Sequence, residues 1–415
     1  MKHFKTYLSF LGIALVFASC AKDELYNKET NNEELIDMVF TAGSKHPLSR
    51  TVLGADGETV TWQENDQIGI GYQYSDNNVT RPFKTPTAGS DVHFWGKAAD
   101  VTSSYFMMYP YQENAKISYK NNLQAEYKFS FPKNQTATAG SFDPKANISV
   151  GVIPKRYEPF IAYNVGGLVR FTIKGTDKVK QVKLFAIGQD NLVGDITSMI
   201  SFKTNGQINK MQTKITNGTP VVNLIAENGG LKEEIPYYIA LPEEKISKGI
   251  SIIFTLDDGK SIIKKVKQEI NIERAKVYDL GEIVLNPTSA KSFILKNKVL
   301  IDAVSKTIHG LERYDNGDMN IYEGENLEKI LSFKGTLTIQ YNDKLTTLDE
   351  LQYYRNVTGL DVQYNKNLAG EIDFNKYPQL TNYIVISNSP LVTKIDISGL
   401  KELKFLSAHQ LNGLT

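Results

Sequence analysis

From Ile36 onward the chain alternates apolar and polar positions over short runs. Ile36, Met38 and Phe40 share one parity, as do Ile68, Ile70, Tyr72 and Tyr74, then Phe129 and Phe131, then Val169, Phe171 and Ile173. A period of two sends successive side chains to opposite faces and marks half-buried strands. Gly54-Ala55-Asp56-Gly57 and Asp257-Asp258-Gly259 punctuate the runs as turns, so the strands should pair antiparallel. Sustained helical periodicity begins only near residue 293. Residues 36–286 therefore read as all-β material sufficient for two sandwiches, 36–156 and 157–289, joined near Pro154–Pro159.

The pattern then changes twice. Ile301, Val304, Ile308 and Leu311 fall on one helical face, within a segment spanning 290–335. From 336 to 415 a longer period takes over, with segments starting 23 residues apart at Val357, Leu380 and Leu403. In that frame Leu360 aligns with Tyr383 and Leu406, Asn365 with Asn388, Leu368 with Leu391, and Asp373 with Asp396. Leu337, Ile339, Tyr341, Asn342 and Leu345 fit one register earlier. A short strand, a buried Asn and a return segment make up a leucine-rich repeat. The segment resembles the repeats of Bacteroidota surface adhesins, with Ile294–Glu325 as an N-terminal cap. Strands near Leu337–Tyr341, Leu360–Tyr364 and Tyr383–Ser387 should then stack in parallel, with Asp361, Gln363 and Tyr364 on or beside an exposed face. The chain stops at Leu414-Thr415 within a repeat that has no polar end cap. Either more chain follows, or the open end pairs with something.

At the other end, Met1-Lys2-His3-Phe4-Lys5 is basic and Tyr7 to Ala18 is an apolar run of signal-peptide length. The single cysteine, Cys20, follows Ala18 and Ser19. This resembles a bacterial lipoprotein signal, with Phe17 where Leu is usual. The resemblance implies a signal peptide of 1–19, cleavage before Cys20, lipidation of its thiol, and a polar tether over 20–35. Lys22, Asp23 and Glu24 resemble the signal that routes Bacteroidota lipoproteins to the outer surface. Buried acyl chains would hold the protein firmly, at roughly 0.8 kcal/mol per methylene.

Composition narrows the classes. Lys and Arg total 47 against 46 Asp and Glu, so there is no basic excess that would point to nucleic acid. One cysteine excludes an intrachain disulfide, and the fold must rest on packing. Tyr at 22 against Trp at 2 suits pleated, half-buried surfaces.

The order of motifs along the β region is similar to the fimbrillin (Mfa-like) family of Bacteroidota surface proteins. The carrying residues are Arg50-Thr51-Val52-Leu53, Trp62 with Asp66, Ile68 and Ile70, then Phe94-Trp95-Gly96, "YFMMYPY" from Tyr105, and Phe131-Pro132 with Gln135. "GGLVRFTI", "YYIALPEE" from Tyr237 and "VYDLGEIVL" from Val277 continue the set. The resemblance implies two transthyretin-like antiparallel β-sandwiches on a lipidated precursor. It also implies assembly by donor-strand exchange in the pilin members, after a protease cuts the first strand away behind an Arg. Carried onto this chain, Arg50 is the processing candidate and Ala21–Arg50 is the removable segment. The alternative is an uncut Arg50 and a permanently anchored protein.

Other chemistry is sparse. "YDNGDMNIYEGE" invites a calcium-loop reading, but Tyr314 stands where the first Asp belongs and Met319 where Gly is needed. Asp315–Asp318 therefore reads as a turn, and neither metal nor cofactor is assigned. The histidines at 3, 46, 93, 309 and 409 have no paired ligand spacing. Gly69-Ile70-Gly71 sits in a strand and lacks the rest of a dinucleotide fingerprint. The expectation is a non-enzymatic adhesin or pilus accessory or tip protein, lipid-anchored in the outer membrane at the cell surface, with the fimbrium as the alternative location. Its partners would be other fimbrial subunits and a host or bacterial surface protein or glycan, met by the repeat head. The alternatives are a polymerising shaft subunit and a glycan-capturing surface lipoprotein.

Overall fold

A computed structural model describes residues 33–43, 52–53, 60–227 and 229–414. Cys20, Lys22, Asp23, Glu24 and Arg50 lie outside the described residues. The architecture is mostly β, in several sheets. A seven-stranded sheet runs in the order Ile36–Thr41, His93–Ala98, Asn77–Lys84, Gln67–Tyr74, Tyr105–Tyr109, Ser149–Ile153, Tyr163–Asn164, and its pairs are antiparallel. Its fifth strand is apolar throughout because both of its faces are covered. Phe106 and Met108 enter one core, and Tyr105, Met107 and Tyr109 enter the other.

Three larger sheets accompany it in the β region, with two-stranded pairs of Glu244–Ile246 with Ile270–Ile272 and of Val52–Leu53 with Val60–Thr61. A four-stranded sheet orders Ile208–Thr219, Val193–Phe202, Gln124–Phe131, Lys116–Asn121. A five-stranded sheet orders Asn134–Thr136, Val221–Ile225, Val179–Ala186, Ile250–Leu256, Ser261–Val266, with its first pair parallel. A three-stranded sheet places Gly166–Lys174 between Tyr237–Pro242 and Val277–Val284. The expected division at 156/157 does not separate these sheets. Gln124–Phe131 pairs with Val193–Phe202, bringing Phe129 opposite Ile196, and Asn134–Thr136 pairs with Val221–Ile225. One apolar core accordingly runs from Phe106 to Leu285. Alternation tells a strand which face to bury; it says nothing about which neighbour completes its ladder.

The C-terminal part starts with helix Lys298–Thr307. Asn297 caps it by accepting from the Leu300 N–H at 3.1 Å, and Ile301 and Val304 are buried. Ile308 ends the helix and Leu311 lies beyond it, so the expected apolar face is shorter than four residues. After helix Asn326–Ser332, four strands form one parallel ladder in chain order: Gly335–Thr338, Val357–Gln363, Tyr383–Ser387, Phe405–His409. Ala369–Asp373 and Leu391–Asp396 form a second parallel pair. The register corrects the expected alignment. Leu360 faces Ile384, and Ile384 faces Leu406, so Tyr383 is not the partner of Leu360. Gln363 pairs with Ser387, which makes the buried Ser389 the counterpart of Asn365 and leaves Asn388 beside Tyr364. One extra residue in the second coil shifts the parity, and in a strand a shift of one exchanges faces. Val392 is buried while Leu391, the expected core residue, is exposed.

This part packs on the sandwich sheets. Phe185, Val221 and Ile253 join Ile321, Tyr322 and Leu327 in one apolar cluster. Across the same junction Lys183 lies 3.6 Å from Glu328, and Lys133 lies 3.0 Å from Glu325 and 3.5 Å from Glu328.

Candidate binding surfaces

The first surface is the edge held by Ile36–Thr41. Among the described strands this one pairs with His93–Ala98, from Ile36 opposite Ala98 to Thr41 opposite His93, and at its end the Thr41 carbonyl accepts from the Phe160 N–H at 2.9 Å, so its open edge is Ile36–Phe40. The strand buries Met38 and Phe40, and Ala42 just beyond it is buried too. The Phe40 ring packs edge-on to Phe83 at 5.0 Å and lies 5.1 Å from Tyr105. Glu33, expected in the tether, reaches into the body instead. Its carboxylate pairs with the Arg81 guanidinium and accepts from the Tyr72 hydroxyl. Arg81 Nε donates to the Tyr72 hydroxyl oxygen at 3.0 Å, and the Ala99 N–H donates to the same oxygen at 3.2 Å. Burial alone would raise the Glu33 pKa, but the hydrogen bonds from Arg81 and Tyr72 outweigh it and hold the group below its ordinary value. Burial and the neighbouring Glu33 carboxylate push Tyr72 up to about 12. The strand is thus fastened by apolar sockets plus one charged latch. Alternation made the sockets legible; Glu33, in a polar run, gave no signal.

The second surface is the outward side of the parallel ladder. Leu337, Ile339, Leu360, Val362, Ile384 and Ile386 face inward and are buried. Between them, the exposed Gln340 and the half-buried Asp361 and Gln363 occupy the opposite parity, as does Ser387, which is fully buried. Gln340 Nε2 donates to Asp361 Oδ2 at 2.6 Å, and Gln363 Nε2 donates to Asp361 Oδ1 at 2.9 Å. Ser387 Oγ donates to Gln363 Oε1 at 3.1 Å. Just past the strand ends, Tyr341, Tyr364, Asn388 and Gln410 repeat one left-handed backbone conformation, with φ of 52°, 59°, 53° and 53°. The first two place their rings face to face, with centroids 4.4 Å apart and planes 6° from parallel. Tyr341 is 73% exposed and Tyr364 39%. Underneath, the Asn365 side chain accepts from the Asn342 N–H at 3.1 Å and donates to the carbonyls of Ile339 and Gln363 at 2.8 and 3.2 Å. Of the expected face residues, Asp361, Gln363 and Tyr364 all line this side. The Tyr341–Tyr364 stack was foreshadowed by a Tyr-Asn pair recurring at 341–342 and 364–365.

The remaining candidates do not join these surfaces. In the Asp315–Asp318 loop the Asn316 Oδ1 accepts from the Asp318 N–H at 2.9 Å, and Asn316 Nδ2 donates to Asp318 Oδ2 at 3.0 Å, so the turn engages its own polar groups. Gly71 sits where a Cβ would lie 2.3 Å from the Ile117 Cβ, a close-packing requirement between strands. Beside the Lys133–Glu328 pair lies a cleft of about 390 Å³, lined also by Gln189, Asn191 and Lys334.

No family model matches the chain, and no curated protein does. Among solved structures, a Bacteroides ovatus protein assigned to cell adhesion is similar over 62% of this chain and 95% of its own, at 12% identity and a TM-score of 0.38. The tip fimbrial protein Mfa3 from Porphyromonas gingivalis, truncated at its C-terminus, is similar over 62% of this chain and 97% of its own, at 7% identity and a TM-score of 0.30. A leucine-rich repeat protein from Bacteroides thetaiotaomicron is similar over 88% of this chain and 38% of its own, at 9% identity and a TM-score of 0.21.

Proposed function

We propose that the chain is a fimbrillin-like surface adhesin. In this reading it is lipid-anchored at Cys20 in the outer membrane, is non-enzymatic, and contacts its partner through a leucine-rich-repeat head. The observation that carries the proposal is the outward side of the ladder, where hydrogen-bonded polar side chains sit beside an exposed aromatic stack. Residues fixed in this way are presented rather than packed, as a recognition surface requires. The partner is a host or bacterial surface protein or glycan. A soluble chain beginning at Ala21, added in excess, should block adhesion of cells that carry the anchored protein. Undiminished adhesion at saturating competitor would overturn the reading.

A second reading, incorporation among other fimbrial subunits, is favoured by the edge strand Ile36–Thr41. This strand lies between the anchor at Cys20 and the processing candidate Arg50. Its loss would open the sockets of Met38 and Phe40, each worth roughly 1.5–3 kcal/mol when refilled by a large side chain. Such an edge accepts an extended peptide by β-augmentation. N-terminal sequencing of surface-extracted protein decides the matter. A chain starting at Thr51 supports assembly, whereas a chain found only from Cys20 leaves a fixed adhesin.

A further inference from the structure

We propose that the ladder's outward face is a carbohydrate subsite. A neutral pyranose ring would lie against the free face of Tyr341, and its hydroxyls would bond to Gln340 and Asp361. The inference rests on the reading of this ladder as the contact head, and it adds the chemical class of the ligand.

Three observations converge. Tyr341 and Tyr364 stand at left-handed positions, where Asn or Gly is the ordinary choice and a bulky ring is uncommon. The equivalent place in the third coil carries Asn388. The two tyrosines are therefore not required by the turn, and the Tyr341 ring, 73% exposed, is not used for burial. One face of Tyr341 is taken by Tyr364, and with 73% of the residue exposed the rest of the ring meets solvent. The negative face of an aromatic ring attracts the weakly positive C–H bonds that line one side of a pyranose.

Second, the polar groups next to the stack are pre-positioned. Asp361 accepts from Gln340 and Gln363 at 2.6 and 2.9 Å, which fixes both amides and leaves the Gln340 carbonyl oxygen able to accept. The carboxylate still has acceptor capacity after two bonds. An acceptor-rich row suits hydroxyl donors and repels phosphate, sulfate or carboxylate. Groups already held in place lose little freedom on binding.

Third, the distribution is the reverse of a protein interface. Protein partners meet through an apolar centre with a polar rim. Here one outward row runs Thr338, Asp361, Val385, Ser407 and the next holds Gln340 and Gln363, so polar side chains predominate, while the aromatic rings Tyr341 and Tyr364 stand past the strand ends and Phe405, 55% exposed, lies on the last strand.

The test uses the chain from Ala21 with the anchor removed. Its probes are mannan, xylan, β-glucan, galactan and mucin-type oligosaccharides, with heparin and chondroitin sulfate as charged comparators. The parent should bind at least one neutral glycan. Tyr341→Ala should weaken that binding by about tenfold or more, and Tyr341→Phe, which keeps the ring, by less than about threefold. Asp361→Asn, which keeps the shape, should weaken it several-fold and serves if Tyr341→Ala perturbs folding. Binding to none of the neutral glycans, binding only to the sulfated ones, or binding indifferent to both substitutions overturns the proposal. The adhesion assay separates the two readings. If the parent and Tyr341→Ala block cells equally and no neutral glycan binds, the head reading stands and the carbohydrate assignment falls. If neutral glycan binds through Tyr341 but the parent blocks no adhesion, the reverse holds.

Discussion

Replacing Glu328 by Gln should destabilise the protein far more than replacing its partner Lys183 by Met. Lys183 is 1% exposed and Glu328 10%, and their charged atoms lie 3.6 Å apart across the junction between the sandwich sheets and helix Asn326–Ser332. At that distance an effective dielectric of 20 gives an attraction of about 4–5 kcal/mol, against a desolvation cost of several kcal/mol for each ion. The two ions are unequally supported. Glu328 has a second cation, Lys133, at 3.5 Å, beside the water-accessible cleft. Among the described residues, Lys183 meets Glu328 and, at 3.4 Å, the Gly324 carbonyl, with Glu325 acting on it from further off. Burial holds its pKa below the ordinary 10.5, and the nearby Glu328 opposes that shift only in part. Glu328→Gln leaves a buried ammonium without an anion and should cost about 3–5 kcal/mol, whereas Lys183→Met should cost less than about 1 kcal/mol or even stabilise. Lys183→Met combined with Glu328→Leu should return close to the parent. Urea denaturation followed by far-ultraviolet circular dichroism reads all four proteins. The pH dependence supplies a sign check. Between its folded pKa and 10.5 the unfolded state binds more protons at Lys183, so the parent should gain stability relative to Lys183→Met as pH rises through that window. A Glu328→Gln cost within 1 kcal/mol of the parent (~), or one smaller than that of Lys183→Met, refutes the reasoning.

Three other outcomes follow from the same structure. Glu33 has a depressed pKa, so its latch contributes fully above the ordinary 4.5 and is lost as pH falls through the folded value; protection of the Ile36–Thr41 amides, relative to their intrinsic exchange rates at each pH, should fall there in the parent but not in Glu33→Gln. Asn365→Ala strands one backbone N–H and two carbonyls and should cost about 2–4 kcal/mol in thermal or urea unfolding, while Asn388→Ala costs little; equal costs would restore the 23-residue alignment that pairs the two. Cys20→Ala should move the protein from the membrane to the soluble fraction, and retention of the variant on membranes would remove the anchor from the proposal.

Much of the fold was legible because burial is written with a period. Ile68, Ile70 and Tyr72 alternate in the sequence and are fully buried, and Leu337 and Leu360 point inward as their repeat positions predict. What was not legible depends on partners rather than on faces. No local pattern says that Gln124–Phe131 pairs with a strand beginning at Val193. The ladder's parity was misread from one added residue, since Tyr383 and Ile384 are both tolerated by a strand while only the pleat decides which is inside: Ile384 is buried and Tyr383 lies outward. On the outward side of the ladder, Asp361 and Gln363 were readable from alternation. Glu33 and the Tyr341 stack depend on distances that only folding sets.

The pairing of Gln124–Phe131 with Val193–Phe202 also constrains the order in which the chain can settle. A polypeptide delivered from its N-terminus presents Phe129 and Phe131 long before the strand that shields their sheet has emerged. Until residue 202 is available, that edge stays open and prone to mispairing with other chains. Cooperative closure must therefore wait for most of the β region, and long-range pairing of this kind slows folding. A gene fragment ending at residue 156 would inherit the open edge permanently. The two halves are thus a single inheritable module: recombination between them would separate strands that have no substitute partner.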